Sequence, residues 1–197
     1  MKLFTALFVA FILLFAPALL SFGIREIPFR SQGSLVNRHK IYGDIVARQE
    51  FISHKNNLSA IAATIRNFNL LNKKDMSLSV ISEGKVVRQV AVSGANIPDG
   101  ALVKFKFDRI SDSLGKEYTL TLSSPDSTSA EAFELYFGED NKTIALSDYY
   151  QTSSKIELIG DIYKSFLARF FADRFFAGLY LIAIGSSVVY LRVGKFT

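Results

Sequence analysis

The chain contains no cysteine and no tryptophan, and it has only two histidines among its 197 residues. Without cysteine it forms no disulfide and offers no thiolate as a metal ligand or nucleophile. His39 and His54 stand apart from any spacing that would assemble a zinc site or a Ser-His-Asp arrangement. A glycine-rich phosphate loop and a nucleophile elbow are also missing. We therefore expect a protein without enzymatic activity.

The net charge is +5, and the basic residues concentrate beside two apolar segments. Lysines in the middle of the chain alternate with aspartate and glutamate, so they do not form the basic, aromatic-interleaved face that nucleic-acid binding requires. Cations beside a membrane segment attract anionic lipid headgroups. We predict a lipid bilayer as a partner and no nucleic acid. The flanking cations are Arg25, Arg30, Arg38 and Lys40 after the first segment, and Lys164, Arg169 and Arg174 before the second.

The first apolar segment, residues 1–23, has no charge after Lys2. Residues 3–22 are long enough as a helix to match a hydrocarbon core of about 30 Å. A cleavable signal peptide is the alternative, with residues 16–18 or 21–23 as the small-residue cleavage site. The length of the run, and Pro17 inside the first of these sites, favour an uncleaved transmembrane helix or signal anchor.

The second apolar segment, residues 175–192, is bracketed by Arg174 and Arg192. Tyr180 and Tyr190 stand where aromatic residues meet a membrane interface, and both arginines can reach the headgroups. Residues 155–174 place apolar side chains at helical spacing opposite a charged face, which predicts an amphipathic juxtamembrane helix. We expect a double-pass protein of a bacterial plasma membrane. Its central domain is extracytoplasmic, because long domains are translocated largely regardless of flanking charge.

The middle of the chain has a two-residue hydrophobic period. After a polar linker over residues 24–48, residues 49–150 contain short alternating runs separated by turns at 82–85, 97–100 and 111–116. This pattern predicts strands with one buried and one wet face. Seven or eight strands at this spacing indicate a mainly β fold, an antiparallel β-sandwich. The sequence has no Cys–Trp–Cys core that would favour an immunoglobulin-like sandwich, and the family resemblance described next favours a jelly-roll-like one. The clearest runs are 76–81, 86–92, 103–107, 118–122 and 133–137.

Two stretches carry a family resemblance. Residues 51–68 (FISHKNNLSAIAATIRNF) and 105–122 (FKFDRISDSLGKEYTLTL) combine an aromatic start, an Asn-Leu-Ser turn, a phenylalanine-rich strand, an Asp-Ser-x-Gly-Lys loop and a Tyr-x-Leu-x-Leu strand. This combination resembles the jelly-roll, galactose-binding-like β-sandwich domains of bacterial membrane-anchored envelope proteins. The resemblance implies a non-catalytic module, often linked to cell-surface glycan machinery.

Two sets of side chains are candidates for binding. Tyr136, Tyr149 and Tyr150 could stack on a sugar or pack on a partner, or could rest the domain against the membrane interface. Asp108 and Asp112 could hold a structural calcium ion, although both are also ordinary turn formers. No other cofactor is expected.

These features predict a non-catalytic, membrane-anchored binding or scaffolding module of the bacterial cell envelope. Its ligand would be a partner protein or a surface glycan. The alternative is an accessory subunit of a membrane complex that assembles through its transmembrane helices. In that case Gly178 and Gly185, seven residues apart, would allow another helix to approach closely.

Overall fold

The computed structural model describes residues 15, 26–29, 35–152 and 154–193, with only the backbone described for residues 184 and 187–193. These residues belong to two compact units, a β-sandwich over Glu26–Gln151 and a helical unit after it. Apart from Phe15, the first predicted membrane segment lies outside the described residues.

In the described residues, the sandwich has ten strands in two antiparallel sheets. In the first sheet β4 is central, with β7 on one edge and β9 and β10 on the other, followed by β2 and β1. The second sheet has the order β3-β8-β5-β6. The strands are β1 Glu26–Pro28, β2 Asn37–Ile41, β3 Ala47–Ile52, β4 Leu58–Arg66, β5 Asp75–Ser82, β6 Lys85–Ser93, β7 Ala101–Ile110, β8 Glu117–Ser123, β9 Phe133–Phe137 and β10 Leu146–Gln151.

The two-residue period correctly predicts which side chains form the core. Phe105, Tyr118, Leu120 and Phe133 are fully buried between the sheets, while their neighbours along each strand face outward. Alternation therefore separates core from surface, as expected for sheets with one wet face. The prediction of an antiparallel β-sandwich is confirmed.

The segment predicted as a linker, residues 24–48, contains strands. Residues 26–28 pair with β10, and residues 37–41 pair with β9, so two short stretches of this segment belong to the first sheet. Its sequence shows no clear alternation, because short edge strands are held chiefly by backbone hydrogen bonds and bury few side chains. The pairing of Glu26 with Gln151 also means that the chain enters and leaves the sandwich at one end, here called the entry end.

Strands β9 and β10 lie end to end along the same edge of β4. Leu135 pairs with Ile65 and Leu146 pairs with Ala63, so only Thr64 of β4 faces the interruption between them. In that interruption the chain leaves the sheet and returns, closed by a bridge between Phe137 and Ile144. Residues 138–143 form the resulting β9–β10 loop. This excursion shapes the site described below.

The helical unit contains α1, Lys155–Ala172, and α2, Arg174–Val193. Ser154 caps α1 by accepting a hydrogen bond from the Glu157 amide, and Asp173 accepts hydrogen bonds from the amides of Phe175 and Phe176 at the start of α2. Asp173 therefore separates the two helices, close to the predicted boundary. Phe166 of α1 packs against Tyr180 of α2 with ring centres 5.2 Å apart.

Within the described residues, no helix combines the length and the apolar character needed to cross a membrane. Of the predicted interface residues, Arg174 is exposed and Tyr180 lies half-buried in the ring cluster between α1 and α2. The side chains of Tyr190 and Arg192 lie outside the described residues.

Candidate functional site

An open cleft of about 170 Å³ lies between the two sheets at one side of the sandwich. One wall comes from β3 and β8 of the second sheet, and the other from β4, β10 and the β9–β10 loop of the first sheet. The cleft lies where the chain leaves the first sheet between β9 and β10. At that interruption no strand of the first sheet covers β3 of the second sheet. Its lining residues are Gln49, Phe51, Ile61, Leu120, Gly138, Thr143, Ile144, Ala145, Leu146 and Asp148.

The β3 wall is fixed by side-chain packing and by one hydrogen bond to the opposite wall. The Phe51 ring stacks on Tyr118 with centres 5.6 Å apart. Gln49 Oε1 accepts a hydrogen bond of 2.5 Å from the backbone amide of Ile144. The two walls are therefore connected directly across the sandwich.

The β9–β10 loop is held by its own polar side chains. Asp140 accepts hydrogen bonds from the Thr143 hydroxyl at 2.5 Å and from the amides of Lys142 and Thr143. These bonds, the hydroxyl foremost, lower the pKa of Asp140 to about 2. Asn37 donates to the Gly138 carbonyl oxygen, and His39 Nε2 lies 2.6 Å from Asn141 Oδ1. The loop is therefore preorganised above the cleft.

Asp148 brings a buried carboxylate to the lining. Only 5% of the residue is exposed, and its Oδ2 accepts a hydrogen bond of 2.7 Å from the Tyr150 hydroxyl. That hydroxyl in turn accepts hydrogen bonds from Ser53 Oγ and from the His54 amide. Burial is the main cause that raises the pKa of Tyr150 to about 12. The tyrosine therefore stays protonated at neutral pH and donates to Asp148.

The structure separates the three tyrosines predicted as ligand contacts. Tyr136 and Tyr149 lie half-buried on the outer face of the first sheet. Tyr150, in contrast, is 3% exposed and belongs to the core. Successive strand residues point to opposite faces, so the neighbours Tyr149 and Tyr150 cannot both lie on the wet face.

One face of the Tyr149 ring is covered. Lys104 extends from β7 across the small side chains of β4, and its Nζ lies 3.7 Å from the centre of the Tyr149 ring. The same Nζ is 2.5 Å from Glu26 Oε2 on β1. Ala60 and Ala62 are fully buried on this outer face because Lys104 and Tyr149 lie beside and above them. Tyr149 is therefore already in a cation–π contact.

The predicted calcium ligands are not brought together with further ligands. Asp112 forms an ion pair with Lys116, and Arg88 donates to the backbone carbonyl oxygens of Asp108 and Arg109. In the part of the chain that the structure describes, no three acidic, histidine or cysteine side chains are grouped as a metal would require.

Sequence reasoning missed Gln49, Thr143 and Asp148 as members of a site. One signal was present for Asp148, because it occupies an inward position of a strand with Leu146 and Tyr150, where a charged residue is unusual. No sequence pattern predicts that the chain leaves the sheet between β9 and β10. This interruption brings the three residues together.

Comparison with solved structures finds distant similarity to carbohydrate-binding modules. Among solved structures, the chain is similar to the carbohydrate-binding module CBM36 in complex with calcium and xylotriose, at 9% identity and a TM-score of 0.33, over 64% of this chain and 99% of that one. It is also similar to TmCBM61 in complex with β-1,4-galactotriose, at 12% identity and a TM-score of 0.32, over 53% of this chain and 61% of that one.

A third similar structure is a ruminal GH26 endo-β-1,4-mannanase, at 7% identity and a TM-score of 0.33, over 57% of this chain. The chain spans only 19% of that enzyme's length. No protein-family model and no curated protein matches the chain. These similarities concern the fold alone.

Proposed function

We propose that this chain is a non-catalytic binding module of the bacterial cell envelope, which recognises a partner protein or a surface glycan. The observation that carries the proposal is the cleft beside the β9–β10 loop. It is concave, mostly apolar and contains few polar groups, as binding sites commonly are. Because Asp140 and Gln49 hold the loop in place, little order would have to be gained on binding.

The chemistry of the lining favours binding over catalysis. Asp148 is the single titratable side chain among the lining residues. Glycoside hydrolysis uses a pair of carboxyl groups across the scissile bond, and acyl transfer needs a nucleophile beside a base. Tyr150, whose hydroxyl donates to Asp148, keeps its proton because burial raises its pKa to about 12.

We further propose that the module is anchored in the plasma membrane with the sandwich outside. The uncharged run at residues 3–22 and the apolar composition of residues 175–191 support this. Phe171, Phe175 and Ile182 are exposed on the helices, and an exposed apolar surface of this kind suits lipid. Entry and exit of the chain at one end of the sandwich suits two anchors in one bilayer.

A cleft-filling substitution tests the binding site. Leu146→Trp places a large side chain in the cleft, whereas Leu102→Trp adds the same group at an exposed position on β7. We expect the full-length wild type and Leu102→Trp to bind alike on a glycan array or in cross-linking to envelope proteins in intact cells, and Leu146→Trp to lose binding. Equal binding by both variants would exclude the cleft as the binding site.

Protease added outside spheroplasts tests the orientation. The proposal predicts cleavage within residues 26–151 and a membrane-bound remainder. An intact chain that becomes cleavable only after lysis would place the domain in the cytoplasm and contradict the proposal.

Assembly through α2 is the second candidate function. At Gly178 and Gly185 nothing in the described structure lies within 4 Å of where a Cβ would stand, so another helix could approach there. Native mass measurement in detergent tests this function. A complex that dissociates with Gly178→Leu and persists with Gly160→Leu supports the accessory-subunit role.

A further inference from the structure

The second sheet ends in a strand with an open edge. Strand β3 pairs with β8, and within the described residues no hydrogen bond involves the backbone on its other edge. The Ser53 amide donates to the Lys116 carbonyl oxygen, so every second residue back along β3 bonds to β8 in the same way. The backbone N–H and C=O groups of Arg48, Glu50 and Ile52 therefore point towards the open edge.

The side chains along this edge form a pattern that is complementary to itself. Residues 46, 48, 50 and 52 share the outer face of the sheet, because side chains alternate along a strand. In chain order they are Val46, Arg48, Glu50 and Ile52. The two charged residues are exposed, and the two apolar ones are 36% and 52% exposed. Against a reversed copy of itself, the pattern sets apolar groups against apolar groups and each cation against an anion.

We propose that a second copy of this chain binds at the open edge of β3, through an antiparallel β3–β3 pair with its two-fold axis at Gln49. Arg48 of each copy lies opposite Glu50 of the other, and Val46 lies opposite Ile52. The two four-stranded sheets then form one continuous sheet. This inference goes beyond the proposed function, which does not depend on it.

The charges select this register among its neighbours. The outward backbone groups allow registers that differ by two residues. A pair centred on Arg48 sets the two arginines against each other, and a pair centred on Glu50 sets carboxylate against carboxylate. Like charges directly opposite each other destabilise a sheet, whereas opposite charges stabilise it. Of these three registers, only the one centred on Gln49 matches both charges.

Both charges are available for a second copy. In the part of the chain that the structure describes, neither the Arg48 nor the Glu50 side chain forms an ion pair or a hydrogen bond. Arg38 and Arg66, by contrast, both lie within 4 Å of the Glu134 carboxylate. Arg48 and Glu50 thus carry charges for which the described chain supplies no partner and a reversed copy supplies one each.

Two other edge strands are protected against such pairing. On β2, Arg38 and Lys40 share one face, so a self-pair that aligns them sets cation against cation. On β7, the Arg88 guanidinium from β6 donates to the carbonyl oxygens of Asp108 and Arg109 and so occupies that edge. Natural sheets commonly protect their edges with charges or side-chain cover. The pattern on β3 is therefore a particular feature of that strand.

The pairing has consequences for the dimer as a whole. Antiparallel pairing reverses the strand direction, so the entry ends of the two sandwiches lie at opposite ends of the dimer. With both copies anchored in one bilayer, the strands run along the membrane surface. Because Gln49 and Phe51 also line the cleft, the two clefts lie side by side near the two-fold axis.

A charge swap tests the pairing. Native mass measurement of the full chain in detergent, over a range of protein concentrations, should show a dimer. Arg48→Glu should raise its dissociation constant about tenfold or more, because each pair then sets glutamate against glutamate. The double variant Arg48→Glu/Glu50→Arg should restore the dimer, since each pair again joins opposite charges. Lys85→Glu makes the same change of charge at an exposed position of β6, the opposite edge strand, and should leave the dimer intact.

Cross-linking tests the register. The chain has no cysteine, so one substitution supplies a single thiol. Opposite Cα atoms of a non-hydrogen-bonded antiparallel pair are about 4.5 Å apart, within reach of a disulfide. Gln49→Cys should therefore form a disulfide-linked dimer on mild oxidation. Glu50→Cys should not, because residue 50 lies two positions from its counterpart in this register, and Lys85→Cys should not either.

Several results would overturn the inference while the proposed binding function stands. They are a chain that is monomeric at every concentration, a dimer that Arg48→Glu leaves intact, and a dimer that the double variant fails to restore. A dimer that dissociates with Gly178→Leu but not with Arg48→Glu would assign the contact to α2 instead. In intact cells, a disulfide from Gln49→Cys to a different protein, with none between copies, would assign the open edge to that protein and exclude the second copy.

Discussion

Buried networks of hydrogen bonds hold both ends of the sandwich, but one network fixes a backbone conformation and the other orients a side chain. At the far end, which holds the connections over residues 67–74, 94–100 and 124–132, Asn67 Nδ2 donates to the carbonyl oxygens of Asn72 and Gly94. Asn72 Nδ2 donates to Ser127 Oγ at 2.7 Å. At the entry end, Ser113 Oγ donates to the Lys55 carbonyl oxygen and accepts from the Leu58 amide.

The exposed surfaces of the two ends differ. The far end presents Phe68, Leu70 and Leu71, which are 59%, 45% and 55% exposed. Asn69 and Leu70 there have positive φ angles, a conformation that costs a leucine energy and persists only where surrounding bonds impose it. The entry-end network instead continues through Ser53 and Tyr150 to Asp148 in the cleft. Similar networks thus fix a backbone at one end and orient a carboxylate at the other.

Gly94→Ala should have the largest effect, because it breaks the far-end network. A methyl group at Gly94 would lie 2.6 Å from the Lys74 carbonyl oxygen and against that of Asn72, and backbone atoms cannot move aside easily. We expect a loss of about 3 kcal/mol in the free energy of unfolding, measured with urea. Gly84→Ala, which has a positive φ but open space, should cost about 1–2 kcal/mol. A smaller loss at Gly94 than at Gly84 would contradict the packing argument.

Asn72→Ala should follow in size. It removes the side-chain hydrogen bonds of Asn72 to Ser127 Oγ, to the Glu131 carbonyl oxygen and from the Lys74 amide, and we expect a loss of about 2–3 kcal/mol. Asn96→Ala, at an exposed position of the same end, serves as the control and should be nearly neutral. Thermal unfolding of both variants measures the difference, and equal midpoints would show that the network does not hold this end.

Tyr150→Phe acts on the entry end. It removes the hydroxyl that joins Ser53 and Asp148, and we expect a loss of about 1–2 kcal/mol at neutral pH. Because the folded protein raises the pKa of Tyr150 to about 12, the tyrosine's contribution is complete below its ordinary pKa of 10.0 and is lost as pH rises towards 12. The wild type should therefore lose more stability than Tyr150→Phe between these pH values, and parallel pH profiles would argue against this.

Asp140→Asn should have the smallest global effect and a clear local one. The folded-state pKa of Asp140 is lowered to about 2 from 3.8, so its contribution is complete above 3.8 and is lost as pH falls through 2. We expect faster hydrogen exchange at the Thr143 amide in the variant and little change in the unfolding midpoint. Glu139→Gln, on the exposed neighbouring residue, controls for the loss of charge and should leave that exchange rate unchanged.

The sequence predicts the core of the sandwich well and the site poorly. The alternating runs place Phe105, Leu120 and Phe133 correctly, because burial on one face of a strand imposes a period of two. β4 escapes this rule: all but its last residue are buried, since Ala60 and Ala62 face outward yet lie beneath Lys104 and Tyr149. The cleft depends on the position of the interruption between β9 and β10. That position is set by the pairing of both strands with β4, which is distant in sequence.

Photo-cross-linking in intact cells tests the central claim that binding occurs in the cleft. A photoreactive residue is placed at Leu146 in the cleft or at Leu70 on the far end, in the full-length chain. The account predicts an adduct with an envelope component from position 146 and none from position 70. An adduct from position 70 alone would contradict it and move the binding surface to the apolar far end.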